Sequence, residues 1–159
     1  MDAILAVIAA LSVAAWGVLL FARGGFWRAC ERLDAEGAEP AEWPAIVAIV
    51  PARNEAEVIA RSIRSVVTQD YPGALAAVLV DDHSEDGTAA VAGAVAEDAA
   101  RRLTIVQAGA PPHGWAGKLW ALSEGLRHAA VAAPEARFVW FTDADIAHDA
   151  RSQIGRAHV

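Results

Sequence analysis

Polar positions all but vanish at the start of the chain. From Ala3 to Ala22 it reads AILAVIAALSVAAWGVLLFA, with no charged residue. At 1.5 Å per helical residue, a run of this length crosses a hydrocarbon layer of ~30 Å, so a transmembrane helix is predicted over 3–22. A secretory signal would have a basic start and a shorter apolar run. Here the start is Met1-Asp2, and no clear A-x-A site follows. Arg23, Arg28 and Arg32 all follow the span and none precedes it, which by the positive-inside rule puts the remainder in the cytoplasm. Phe26 and Trp27 stand where an interfacial aromatic anchor would. Residues 23–44, rich in Glu, Ala and Pro, form a juxtamembrane segment and linker. They let the following domain stand off the bilayer, or lie on it through Trp43.

Beyond Pro44 the pattern alternates between two periods. Residues 45–50 are a short apolar run ended by Pro51 and read as a buried strand. Asn54 with Glu57 three residues on forms a candidate capping box for a helix. Val58, Ile59, Ile63, Val66 and Val67 share one face of that helix, until Tyr71-Pro72-Gly73 stops it. Residues 76–80 are a second strand, 87–100 an Ala-rich helix and 103–106 a third strand. A helix over 117–131 and a buried strand over 137–141 follow. Strands alternating with helices of this length predict βαβ units, hence an α/β domain with a parallel sheet covered on both faces.

In such sheets ligands bind beyond the carboxyl ends of the strands, and the polar residues collect there. The first strand runs into Pro51-Ala52-Arg53-Asn54-Glu55, the second into Asp81-Asp82-His83-Ser84 and the fourth into Thr142-Asp143-Ala144-Asp145. Asp143 and Asp145 are two carboxylates one residue apart after a strand. They repel each other, and a divalent cation relieves that cost; oxygen ligands of this kind suit Mg²⁺ or Mn²⁺. Such an ion bridges to a diphosphate and stabilises charge as it leaves. An aspartate at the second strand end could accept a hydrogen bond from an imide N–H such as that of uracil, while Asp86 or Thr88 caps the next helix.

Charge and composition narrow the choice. A formal charge of −7 and a pI near 5.1 argue against a nucleic-acid binder, which needs a basic face. Cys30 is the only cysteine, so no internal disulfide or multi-cysteine zinc site forms. Arginine is abundant and Lys118 is the only lysine. It stands at a predicted helix start, where backbone N–H groups favour phosphate. The segment GWAGK, Gly114 to Lys118, is no P-loop, because Pro112 and Leu119 occupy required Gly and Ser/Thr positions. The 82–93 stretch is no EF-hand, since Gly93 stands where the loop needs Glu. No G-x-G-x-x-G is present. His83 and His113 lack metal-ligand spacing, and Trp115, Trp120 and Trp140 read mainly as packing residues.

The combined motifs resemble a known family. VAIVPARNEAEVIARSIRSVVTQDYPGALAAVLVDDHSEDGT, Val47 to Thr88, is similar to the N-terminal signature of family 2 glycosyltransferases, and FTDADI, Phe141 to Ile146, to their D-x-D motif. GWAGKLWAL, Gly114 to Leu122, most closely resembles the hopene-associated members of bacterial hopanoid pathways. The resemblance implies an N-terminal span followed by the nucleotide-binding half of a GT-A domain, Rossmann-like with a mostly parallel sheet, over 45–153. It implies that Pro51, Ala52, Arg53 and Glu55 line the nucleotide pocket and that Asp82 contacts uracil. Asp143 and Asp145 would hold the metal on the donor diphosphate, with Asp143 also a donor contact, and Lys118 would lie near the donor.

Family members continue past D-x-D with an acceptor site, a later acidic residue as general base, often a Q-x-x-R-W motif, and further membrane helices. None of these follows Asp149 here. Residues 154–159, IGRAHV, can be encoded by a common sequencing-library adapter. A truncated reading frame is therefore expected, with those six residues an artefact and the fragment inactive by itself. The expected parent is an enzyme of the bacterial inner membrane with a cytoplasmic catalytic part. It moves a sugar from a nucleotide donor, UDP-linked, to a lipid acceptor with Mg²⁺ or Mn²⁺. Two alternatives stand beside it. VLVDDHS resembles the first strand and acidic pair of Mg²⁺-binding receiver domains, although Lys118 precedes the fourth strand where that fold wants it later. A non-catalytic, membrane-anchored nucleotide-binding module is the other.

Overall fold

The computed structural model of the chain describes residues 2–23, 41–99 and 103–152. Phe26, Trp27, Arg28, Cys30, Arg32 and the 154–159 tail, all considered above, lie outside them. The chain divides into two compact units, Met1–Ala35 and Glu36–Val159. Helix α1, Asp2–Phe21, belongs to the first. It is apolar all round, and its length and composition suit a membrane anchor or a signal sequence alike.

The second unit alternates strand and helix throughout: β1 (Ile46–Ala52), α2 (Ala56–Val67), β2 (Leu75–Asp81), α3 (Thr88–Ala99), β3 (Leu103–Gln107), α4 (Gly117–Ala132) and β4 (Phe138–Phe141). The four strands form one parallel sheet in the order β3-β2-β1-β4. Successive strand residues point to opposite faces, which sorts the core into two layers. Ala48 and Val50 of β1 join Ala77 and Leu79 of β2 in packing against Ile59 and Ile63 of α2 and Ala92 and Val95 of α3. On the other face Val47, Ile49, Val78 and Val80 meet Ala121 and Ala129 of α4.

β1 continues through Pro51, where the sequence suggests a stop. Thr142 N–H donates to Ile49 O, so Ile49, and two residues on Pro51, point to the β4 side. The β1–β4 ladder ends at Ile49 paired with Phe141, so the N–H that proline lacks is not called upon. β4 itself is an edge strand, not the buried strand expected. Only Trp140 is buried, because β1 covers one side alone and Phe138, Val139 and Phe141 stay about half exposed. Trp43 is partly buried and packs edge-on against Tyr71 at 5.5 Å. The Tyr71 hydroxyl donates to Pro44 O at 2.5 Å, and burial pushes its phenol above the ordinary value.

The start of α2 also departs from the sequence reading. The apolar stripe is Ile59, Ile63, Val66 and Val67, while Val58 falls off it and is exposed. Asn54 does not form a capping box: it adopts φ 54°, and the helix begins at Ala56. The cap comes from elsewhere in the chain. Asp86 Oδ2 accepts from Ala56 N–H at 2.9 Å, while its Oδ1 accepts from the Thr88 hydroxyl at 2.6 Å and the Thr88 N–H at 3.0 Å. One exposed carboxylate thus serves the first turns of both α2 and α3, where the helix dipoles favour a negative charge. The Thr88 hydroxyl, then the Ala56 N–H, hold the carboxyl of Asp86 below its ordinary 3.8. Its ionised form is therefore favoured in the folded state, and the stability it adds is present at neutral pH and lost as pH falls below 3.8. Asp86→Ala is expected to lower the melting temperature at pH 7, with the gap to the wild type closing in acid. Thermal melts across pH 3–7 check this.

Candidate functional site

β1 and β4 are neighbours whose helical connections lie on opposite faces, α2 on one and α4 on the other. Such a switch point leaves a crevice beyond the strand ends. A cleft of about 290 Å³ lies there. It brings together all eight residues singled out from the sequence: Pro51, Ala52, Arg53 and Glu55 after β1, Asp82 after β2, Lys118 of α4, and Asp143 and Asp145 after β4. Two further lining residues, Ala121 and Ala144, are small and buried and leave room between the charged groups.

The floor is built by two loops that fasten each other. Asn54 N–H donates to Ser84 Oγ at 2.9 Å, Glu85 N–H donates to Asn54 Oδ1 at 2.9 Å, and Glu55 N–H donates to Thr88 Oγ1 at 2.9 Å. Asn54 (φ 54°) and His83 (φ 59°) both sit in the left-handed region, which asparagine and histidine enter more readily than most residues. Of the acidic pair after β2, the two members part company. Asp81 is buried and accepts from Ser84 N–H at 3.2 Å, so it shapes the turn. Asp82 faces the cleft, with Arg53 Nη1 3.5 Å from Oδ2 and His83 Nδ1 3.4 Å from Oδ1.

α4 closes one side. Trp120 Nε1 donates to Gly109 O at 2.7 Å and its ring meets Trp115 edge-on at 5.4 Å, tying the β3–α4 loop to the helix. The helix start lies close against Asp82: a Cβ on Gly117 would stand 3.0 Å from Asp82 Oδ2. Gly117→Ala is therefore expected to displace the Asp82 carboxylate and weaken the binding of any ligand that contacts Asp82 in this cleft by about three- to tenfold, a shift of ~1 kcal/mol. It should leave the melting temperature nearly unchanged, because alanine is the better helix former. Titration calorimetry beside a thermal melt separates the two.

Lys118 reaches across the cleft, its Nζ 2.6 Å from Asp143 Oδ1. Both side chains are about half exposed, so the pair holds by only ~0–1 kcal/mol. The backbone carbonyl of Asp143 is approached by Ser62 Oγ at 3.5 Å and Ile146 N–H at 3.4 Å, both long contacts. Behind it, Thr142 Oγ1 and His148 Nε2 lie 2.6 Å apart, the His148 ring meets Trp140 at 4.6 Å, and His148 N–H donates to Ser65 Oγ at 3.0 Å. Gln69 Nε2 donates to Asp149 O at 2.7 Å and Asp70 N–H to Ala150 O at 2.7 Å. The segment after β4 is thus strapped to α2. Sequence reasoning missed this strap, although Ser62 and Gln69 carry a signal: both are polar, in phase with the apolar stripe of α2, and 1% exposed.

No group of three His, Cys, Asp or Glu side chains able to hold a metal occurs among the described residues. That does not exclude a shared ion. Mg²⁺ is ordinarily held by one or two carboxylates together with substrate phosphates, and Asp143 and Asp145 line one cleft as such a pair. The donor set fits an ion that arrives with a phosphorylated ligand, and not a cage made by protein alone.

The parallel sheet and its charged switch-point cleft define an α/β domain of the GT-A type. The chain belongs to glycosyl transferase family 2, whose family model matches residues 47–155. It is similar to the mannosyltransferase PcManGT from Pyrobaculum calidifontis, solved in complex with GDP-Man and Mn²⁺. The identity is 32% and the TM-score 0.68, over 94% of this chain and 41% of that one. TarS from S. aureus, solved with UDP, shares the fold at 24% identity and TM-score 0.52, over 71% of this chain and 31% of that one. No curated protein matches in sequence. The chain thus spans less than half the length of these solved relatives.

Proposed function

We propose that the protein of which this chain forms the nucleotide-binding part is a membrane-anchored glycosyltransferase. It would move a sugar from a UDP-linked donor to a lipid hydroxyl, in a bacterial inner membrane, with this domain on the cytoplasmic side. The observation that carries the reading is the convergence of three strand ends and Lys118 on one cleft at the switch point. The apolar α1 and the three arginines after it support the membrane placement. The GWAGKLWAL motif supports a lipid acceptor of the hopanoid class.

Seven of the lining residues have a chemical part in this reading. Pro51 and Ala52 offer the base a flat, uncharged wall, and Asp82 accepts from the imide N–H of uracil. Arg53 holds Asp82 in place and, with Lys118, supplies the positive charge that a diphosphate needs beside four carboxylates. Asp143 and Asp145 would hold Mg²⁺ or Mn²⁺, which when bound stabilises charge on the leaving diphosphate. GDP is the competing donor nucleotide, since PcManGT holds GDP-Man and guanine also presents N–H groups to a carboxylate.

The receiver-domain alternative needs a buried acidic pair free to hold Mg²⁺, and Asp81 is committed to its own turn. Thermal melts discriminate. Saturation at about 100 times Kd adds ~2.7 kcal/mol of stability, so UDP with Mn²⁺ should raise the melting temperature by several degrees. GDP with Mn²⁺ should raise it less, and beryllofluoride with Mg²⁺ not at all. A shift with beryllofluoride and none with either nucleotide would overturn the proposal.

A further inference from the structure

Lys118 and Asp143 form the closest ion pair within the cleft, and the pairing raises a question of order. Asp143 Oδ1 is 2.6 Å from Nζ, so the ammonium occupies one acceptor direction of a carboxylate that a metal ion would also use. We propose that Lys118 is an internal counter-cation for Asp143. It pairs with the carboxylate until a nucleoside diphosphate arrives, and so strengthens the mutual dependence of metal and nucleotide binding beyond what shared ligation of the ion gives. This rests on the glycosyltransferase reading above and concerns the sequence of binding at the same site.

The charge balance gives the reason. The cleft sets Glu55, Asp82, Asp143 and Asp145 against Arg53 and Lys118, and Arg53 is already paired with Asp82. Without Lys118, Asp143 and Asp145 would attract a divalent cation arriving alone more strongly, although two carboxylates do not make a full cage. With Lys118 on Asp143, a metal ion arriving alone must displace an ammonium and leave it unpaired in the same cleft. A metal ion arriving with a diphosphate meets no such penalty, because the released ammonium moves to the phosphate oxygens. The lysine is suited to the exchange: its charge is a point on a flexible four-carbon stem, and its pair with Asp143 is half exposed, hence easily broken. Its place at the second residue of α4 keeps it beside the helix N-terminus, where phosphate is already favoured. Coupling of this kind is reciprocal, so UDP should tighten Mn²⁺ binding by the same factor by which Mn²⁺ tightens UDP binding.

The test measures Mn²⁺ affinity of the full chain in detergent from the EPR signal of free Mn²⁺, with and without saturating UDP, in wild type, Lys118→Met and Arg53→Met. The wild type should bind Mn²⁺ at least about tenfold more tightly when UDP is present. Lys118→Met should bind Mn²⁺ alone about three- to fivefold more tightly than wild type, the worth of an exposed ion pair, and its UDP effect should shrink by that same factor, the remainder coming from ligation of the ion by the diphosphate itself. Arg53→Met removes an equal charge from the same cleft but one paired with Asp82, and should change the affinity for Mn²⁺ alone less than twofold, while weakening UDP binding through its part at the diphosphate. Unchanged or weaker Mn²⁺ binding in Lys118→Met overturns the proposal. So does an equal gain in Arg53→Met, which would reduce the effect to the general field of the cleft. Failure of the wild type to bind UDP under any condition would instead contradict the glycosyltransferase reading itself.

Discussion

Asp145→Ala and Asp143→Ala are each expected to weaken Mn²⁺-dependent UDP binding by about 100-fold or more. The magnitude follows from comparison: loss of a partner one shell removed from a metal already costs about 10–100-fold, and these carboxylates would touch the ion. The fold should survive. Asp145 is exposed and Asp143 is half exposed, so neither side chain fills the core. Asp143→Ala also frees Lys118, which leaves an extra cation for the diphosphate and predicts some residual metal-independent binding. Asp145→Ala keeps the Lys118 pair and should retain less. Calorimetric titration of UDP with Mn²⁺ and with EDTA reads both effects. Wild-type affinity in either variant would remove the D-x-D pair from the site.

The largest effect on stability is expected at Gly125. It lies in the middle of α4, where glycine costs about 1 kcal/mol relative to alanine, so a replacement would ordinarily help the helix. Packing decides otherwise. A Cβ there would run into Ile49 Cγ2 and stand 3.0 Å from Val80 Cγ2, both on side chains that are fully buried. α4 can lie against β1 and β2 only because this residue has no side chain. Overpacking a core by extra methyls costs about 1–3 kcal/mol, and valine adds three carbons against two strands at once. Gly125→Val is expected to lose ~3 kcal/mol or more, read as a fall in the urea midpoint of the nucleotide-free chain. Because β1 and α4 both border the cleft, the variant should also bind UDP poorly. An unchanged midpoint would show that α4 can shift away from the sheet without cost.

These two sites mark what could and could not be seen in the sequence. The alternation of apolar runs placed every strand and, apart from the end of α2 at Val67 rather than at Tyr71, every helix of the α/β unit to within about two residues, since buried parallel strands and an amphipathic helix write their periods plainly. The clustering of strand ends was also legible, because a parallel sheet must gather them on one rim. What the period could not show was anything supplied from far along the chain. Asn54 looks like a helix cap until Asp86, thirty residues beyond Ala56, is seen to take that part. Val58 fits the apolar spacing of α2 and nevertheless lies on the outside. β4 has the composition of a buried strand, yet its composition does not state which strands will flank it. The Lys118–Asp143 pair joins two residues 25 apart through the switch in strand order, a step that spacing alone cannot reveal.

A diphosphate and its ion would sit between the ends of β1 and β4, against Asp143, Asp145 and Lys118. A crystal of the chain grown with UDP and Mn²⁺, with diffraction measured at an energy where manganese scatters anomalously, tests that claim most directly. The expected result is one anomalous peak in contact with the carboxylates of Asp143 and Asp145 and with the diphosphate, the uracil beside Asp82, and Lys118 Nζ turned from Asp143 to the phosphate oxygens. Manganese or diphosphate bound away from the β1–β4 cleft, or UDP seated there with Asp143 still paired to Lys118, would contradict it.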